Sequence, residues 1–179
     1  MNIQVDAKVF KIVQQFAATN DIRYYLNGVF VKAGKYVGAT NGHFMIVVPN
    51  KTSDRDAIIP RIPASFLKSG QVVVDNGTVK VVDGACRFIS PDRLIDGNYP
   101  DFARVIAPHK WERGMKGSVE MKYMKAILAV GSGGVEFFHS DTAQLAMFTC
   151  NTLPRGAFVV LMNRRDEPLN PFSIMEIVS

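Results

Sequence analysis

The chain has 179 residues, of which 47% are apolar and 21% charged, a balance that suits packed cores and excludes a disordered chain. Its net charge of +5 favours acidic or phosphate-bearing partners. No run approaches the roughly 20 uninterrupted apolar residues of a membrane span, and Met1–Asp6 has no basic, then apolar, leader pattern.

The charge excess is uneven. Residues 1–50 hold five basic and two acidic groups, whereas 51–105 and 106–179 each hold eight and seven. Two cysteines, Cys86 and Cys150, sit in apolar surroundings and read as buried free thiols of a reducing, cytoplasmic compartment.

Ile3–Val5 reads as a short strand. Asp6 then caps a helix to about Ala18, with Val9, Ile12, Val13 and Phe16 at core-facing spacing. Strands are expected at Ile22–Leu26, Val29–Ala33, Tyr36–Thr40 and His43–Val48, divided by Asn27-Gly28, Gly34-Lys35 and Asn41-Gly42. The order then repeats. Ala57–Ile59 is a strand and Pro63–Ser69 a short helix. Gln71–Asp75, Thr78–Val82 and Ala85–Ser90 are strands parted by Asn76-Gly77 and Asp83-Gly84.

A third pass begins with a strand at Ser118–Glu120 and a helix at Met121–Val130, with Met124, Ile127 and Leu128 on one face. After Gly131-Ser132-Gly133-Gly134 come strands at Val135–His139, Gln144–Cys150 and Ala157–Met162, and a late strand at Ser173–Val178. The fold class is therefore α+β, with three repeated strand–helix–sheet units, antiparallel sheets and helices on one face. A broken, polar stretch at 106–117 is expected to link a domain at 1–105 to a half domain with a tail at 118–179.

No catalytic pattern emerges. A phosphate loop ending in Gly-Lys-Ser/Thr is missing, and the glycine run follows a helix, the wrong order for a dinucleotide site. His43, His109 and His139 lack metal-ligand spacing with one another or with the cysteines. His139-Ser140-Asp141 holds triad residue types, but adjacent residues cannot converge as a triad does. The expectation is a protein that is not an enzyme and needs neither metal nor cofactor.

Three segments carry a resemblance. They are Arg23-Tyr24-Tyr25-Leu26-Asn27-Gly28 with Ala39-Thr40-Asn41-Gly42-His43, then Asp96-Gly97-Asn98-Tyr99-Pro100-Asp101-Phe102-Ala103-Arg104-Val105, then Phe158-Val159-Val160-Leu161-Met162-Asn163-Arg164. Together, in this order, they resemble the bacterial DNA polymerase III beta subunit, the DNA sliding clamp family. Residues 1–105 look like that family's middle domain, and 118–179 like the second half of its last domain plus a tail. Asn41 stands where the family has aspartate, Phe44 where it has arginine and Ala103 where it has a basic residue. The family chain is acidic and a whole N-terminal domain longer, so a shortened, phage- or plasmid-type member is the reading.

The resemblance implies a DNA-clamp-like fold and a processivity role in DNA replication. It implies a groove that takes a peptide from DNA polymerase or other clamp-binding proteins. The matching positions are Leu26, Thr40, Gly42, His43, Phe44, Met45, Pro100, Arg104, Val105, Val160, Leu161 and Met162. It also implies sequence-neutral contact with double-stranded DNA, here through Lys8, Lys11, Arg61, Lys68, Lys122 and Lys125. Homo-oligomer formation and ring closure stay open. The alternative is a clamp mimic or decoy that binds clamp clients or a host clamp without encircling DNA. Beyond the family's last strand, Leu169 and Phe172 in the tail have the apolar character of a client peptide.

Overall fold

The structure is a computed structural model that describes residues 3–114, 133–142 and 144–162, together with Tyr123, Leu128 and Val130. Strand β1 (Ile3–Asp6) runs directly into helix α1 (Ala7–Val13). The Asp6 carboxylate caps α1 by accepting from the amides of Lys8 and Val9, at 2.9 and 3.0 Å. The helix tightens into a 3₁₀ turn at Gln14–Phe16 and stops there, short of Ala18. Its buried stripe is Ala7, Phe10, Val13 and Phe16, while Val9 and Ile12 lie half-buried on its flank. The apolar arc is wide because α1 packs against strands of two sheets rather than one.

The remaining strands are β2 (Val29–Lys32), β3 (Tyr36–Thr40), β4 (Phe44–Pro49), β5 (Ala57–Ile59), β6 (Gln71–Asp75), β7 (Thr78–Asp83) and β8 (Ala85–Arg93). Then come helix α2 (Phe102–Ile106) and strands β9 (Trp111–Arg113), β10 (Val135–Ser140), β11 (Leu145–Cys150) and β12 (Phe158–Met162). They form a four-stranded sheet, β1-β6-β7-β8, and an eight-stranded sheet, β5-β2-β3-β4-β12-β11-β10-β9, with every pairing antiparallel.

The first two units exchange their leading strands. β1 joins the sheet of β6–β8, and β5 joins the sheet of β2–β4. In the third unit β9 pairs with β10 of the same unit. The two halves of the large sheet meet where β4 pairs with β12, Met45 opposite Val160 and Phe44 opposite Leu161.

Both faces of that seam are covered. Ile46 and Val48 of β4, with Val159 and Leu161 of β12, enter the core shared with α1 and the small sheet. Met45, Val47 and Val160 point the other way, under Phe102 of α2. Strands buried on both faces read as unbroken apolar runs, as Met45–Val48 does.

Other expectations change. Ile22–Leu26 is no strand: Ile22 is 96% exposed, and a 3₁₀ turn occupies Tyr24–Asn27. Asp21 and Asn27 fold this segment on itself, the Asp21 amide donating to Asn27 Oδ1 and Asn27 Nδ2 donating to the Asp21 carbonyl. The helix expected at Pro63–Ser69 is only a 3₁₀ turn, Ala64–Phe66. Within the expected link, the described residues 106–114 hold the end of α2 and all of β9. The cysteines are free but not buried, Cys86 being exposed on edge strand β8 and Cys150 half-buried on β11.

In the expected third helix, Tyr123 and Val130 are buried and Leu128 is 73% exposed, so Leu128 faces outward. The rest of that helix, Ser118–Glu120, Lys122, Lys125 and Ser173–Val178 lie outside the described residues.

Candidate functional site

A cavity of about 280 Å³ opens beside the β4–β12 seam, on the outer face of the large sheet. Met45, Val160 and Leu145 form its floor, on adjacent strands β4, β12 and β11. Pro100, Phe102 and Val105 form one wall, from α2 and the chain leading into it. Leu26 and Arg23 form another, from the 3₁₀ turn, and Thr40, Gly42, His43, Phe44, Leu161 and Met162 complete the lining.

Each wall has a local cause. The Thr40–Phe44 turn is fixed by side chains: Asn41 Oδ1 accepts from the amides of His43 and Phe44, and Thr40 Oγ1 accepts from Gly42 and donates to the Phe44 carbonyl. Gly42 has φ +90, and the Arg23 guanidinium lies 3.3 Å from where a Cβ would stand. Phe44, at the cavity's inner edge, packs edge-on to Phe16 and to Tyr123. His43 stacks on Tyr123.

The α2 wall is held by aromatic side chains. Tyr99 Oη accepts from the Thr40 amide at 3.0 Å and donates to the Gly28 carbonyl at 3.4 Å. Asp101 caps α2 through the Ala103 amide, and Phe102 stacks on Tyr36. Gly38 lets Phe102 settle onto the sheet, since a Cβ there would stand 2.5 Å from its ring.

Arg23 is oriented by Asp21, Nε to Oδ1 at 3.0 Å and Nη2 to Oδ2 at 2.8 Å. This hydrogen-bonded guanidinium holds the Asp21 carboxyl down at about 2.

Eleven of the twelve expected groove positions line the cavity. Arg104 does not; its side chain is 88% exposed, 3.9 Å from Asp101. Arg23, Phe102 and Leu145 line it without having been singled out. Two of them carried a signal: Arg23 opens the Arg-Tyr-Tyr-Leu-Asn-Gly run, and Phe102 directly follows the capping Asp101.

No family model matches the chain. Its sequence is 27% identical over 122 residues to the beta sliding clamp of Vibrio cholerae serotype O1, a match covering 60% of this chain and 33% of that protein. The DNA polymerase sliding clamp of Pseudomonas aeruginosa superposes with a TM-score of 0.67 at 17% identity, covering 93% of this chain and 67% of that one. The fold is that of the bacterial DNA sliding clamp. A clamp from Pseudomonas aeruginosa bound to griselimycin aligns at TM-score 0.66 and 19% identity, over 93% of this chain and 66% of its own. Caulobacter crescentus pol III beta aligns at 0.63 and 18%, over 92% and 66%. The chain thus spans a third of the curated relative and about two thirds of these clamp structures.

On this clamp fold the expected DNA-facing residues fare differently. Lys8 and Lys11 are exposed on α1, and Lys68 is exposed after the Ala64–Phe66 turn. Arg61 Nη2 donates to the carbonyls of Ala17 and Ala18 at 2.8 and 3.3 Å, closing the end of the first helical segment. Burial lowers its pKa. Among the described residues no group of three or more His, Cys, Asp or Glu is placed to hold a metal, and no helix is long and apolar enough to cross a membrane.

Proposed function

We propose that this chain is a shortened sliding-clamp-like protein of the cytoplasm. It tethers or recruits DNA polymerase or other replication proteins by holding a short apolar peptide of the partner in the cavity at the β4–β12 seam. The observation that carries this reading is the cavity itself: apolar residues from three strands, the Tyr24–Asn27 turn and α2 converge on one concavity, with Arg23 and His43 among its lining. Such a site binds and does no covalent chemistry, so the protein is not an enzyme. Lys8, Lys11 and Lys68 suit sequence-neutral contact with the phosphates of double-stranded DNA, which weakens as salt rises.

The test is griselimycin binding, measured by calorimetry on the full chain. Binding is expected, with loss of at least tenfold in affinity for Val105→Arg, which fills the cavity from its wall. Equal binding to both chains would move the site elsewhere.

A second reading, a mimic that occupies clamp clients without encircling DNA, draws on the sheet edges. Edge strand β8 contains Pro91 and two register shifts against β7, and edge strand β9 has only three residues, two of them charged. Such features discourage pairing with a further strand. Light scattering with and without a small DNA circle separates the two. An oligomer retained on circular DNA in high salt supports the clamp, and a monomer that ignores DNA supports the mimic.

A further inference from the structure

We propose that two copies of this chain pair through strand β8, antiparallel about a two-fold axis at Phe88. This contact is independent of the cavity and of its reading as a peptide site.

Strands β4, β8 and β12 are the last strands of the three units. β4 and β12 pair with each other, antiparallel, through four residue pairs. β8 has nine residues and pairs only with β7 among the described residues. Its other edge carries backbone donors and acceptors that a further strand can satisfy.

The side chains match as well. On β4, Phe44 packs against the main core and Met45 points to the outer face, while Phe16 meets Phe44 with ring centroids 5.4 Å apart. On β8, Phe88 packs against the same core and Ile89 points the other way, while Phe66 stacks on Phe88 at 4.6 Å. At the seam a third ring, Tyr123, reaches Phe44 from the unit that holds β12, and Met45 is only 8% exposed. At β8 no third ring reaches Phe88 among the described residues, and Phe66 and Ile89 are 37% and 58% exposed. β8 thus has the make-up of a seam with one side missing.

A second copy supplies that side because the strand is self-complementary. An axis at Phe88 sets Cys86 opposite Ser90 and Arg87 opposite Ile89, so core-facing residues meet core-facing residues. The charges balance along the pair. Asp83 bonds Arg87 of its own chain at 2.9 Å, and Lys80, beside Ile89, bonds Asp75 at 2.9 Å. Asp83 and Arg93 lie equally far from Phe88, so each Arg93 comes opposite the other copy's Asp83, with Asp92 opposite Gly84. Pro91 lacks an amide donor and confines pairing to the residues before it, while the register shifts of β8 lie against β7. Cys86–Ser90 remains, and β4 pairs through a shorter run although it too ends on a proline, Pro49.

The test is light scattering on the full chain from about 1 to about 200 μM, with hydrogen exchange of the β8 amides over the same range. A dimer is expected, and exchange at Cys86–Ser90 should slow as it forms. Ile89→Lys sets a lysine against Arg87 twice in the dimer, so it is expected to weaken association at least about tenfold. Because Ile89 is exposed, the circular dichroism of that variant should match the natural chain's. Ile89→Val should keep the dimer, and so should Ile22→Lys, an exposed apolar site beside the Tyr24–Asn27 turn. A natural chain that is monomeric at the top of the range overturns the proposal. So does a dimer that Ile89→Lys leaves intact. Particles that grow past the dimer with concentration overturn it too, since a two-fold contact stops at two copies. Griselimycin binding is read separately, so the peptide-site reading stands or falls on its own.

Discussion

Tyr99 lies flat on Phe30, with ring centroids 4.9 Å apart and planes within 7° of parallel. The same side chain reaches past that ring to the Thr40 amide and the Gly28 carbonyl. One residue thereby fastens the chain leading into α2, and with it the Pro100 side of the cavity, to β2 and β3. Tyr99→Phe keeps the stack and loses the hydroxyl, so it is expected to cost about 1 kcal/mol, read from the urea midpoint. Tyr99→Ala removes both and is expected to cost about 3–5 kcal/mol.

Gly38→Ala tests how closely α2 sits on the sheet. The added methyl would stand 2.5 Å from the Phe102 ring and 2.7 Å from the Ile46 carbonyl oxygen. Neither is the free end of a flexible chain, so a loss of about 1–3 kcal/mol is expected. Phe102→Leu should relieve part of it, and the double-mutant cycle should show a coupling above about 0.5 kcal/mol. Strict additivity would place Phe102 away from Gly38 in solution.

Alkaline pH should loosen the same region. Burial pushes the Tyr99 phenol well above its ordinary value of 10.0. Its folded pKa is therefore higher than its unfolded one. The stability it contributes is complete below pH 10 and falls as pH rises beyond it, because only the unfolded chain then releases the proton. Urea midpoints at about pH 9 and about pH 11 should diverge in the natural chain and diverge less in Tyr99→Phe. Tyr36, also raised by burial, keeps the difference from vanishing.

Much of the fold was legible because the signals are local. Asn76-Gly77 and Asp83-Gly84 mark the β6–β7 and β7–β8 turns, and Asn76, Gly77 and Gly84 do adopt positive φ. The floor of the cavity was legible for a different reason, since Met45 and Val160 sit inside or beside motifs matched as strings. What failed was structure decided by side chains or by distant partners. Ile22–Leu26 has a strand's composition, yet the flanking Asp21 and Asn27 supply hydrogen bonds that compete with a ladder. β9 is three residues long and exists only because β10, more than twenty residues later, pairs with it. Leu145 lies on β11 and joins the cavity only through the pairing of β11 with β12.

The seam between β4 and β12 has a consequence in time. Phe44 pairs with Leu161, so the strand that completes the cavity is made more than a hundred residues after the one it docks on. Contacts this distant in sequence form late, since the whole intervening loop must be ordered or closed first. On the ribosome, β4 can find its β3 partner early, while its other edge waits, unpaired, until Phe158–Met162 emerges. Any nascent chain stopped before Phe158 therefore lacks the cavity, because the floor that β12 supplies has not been made.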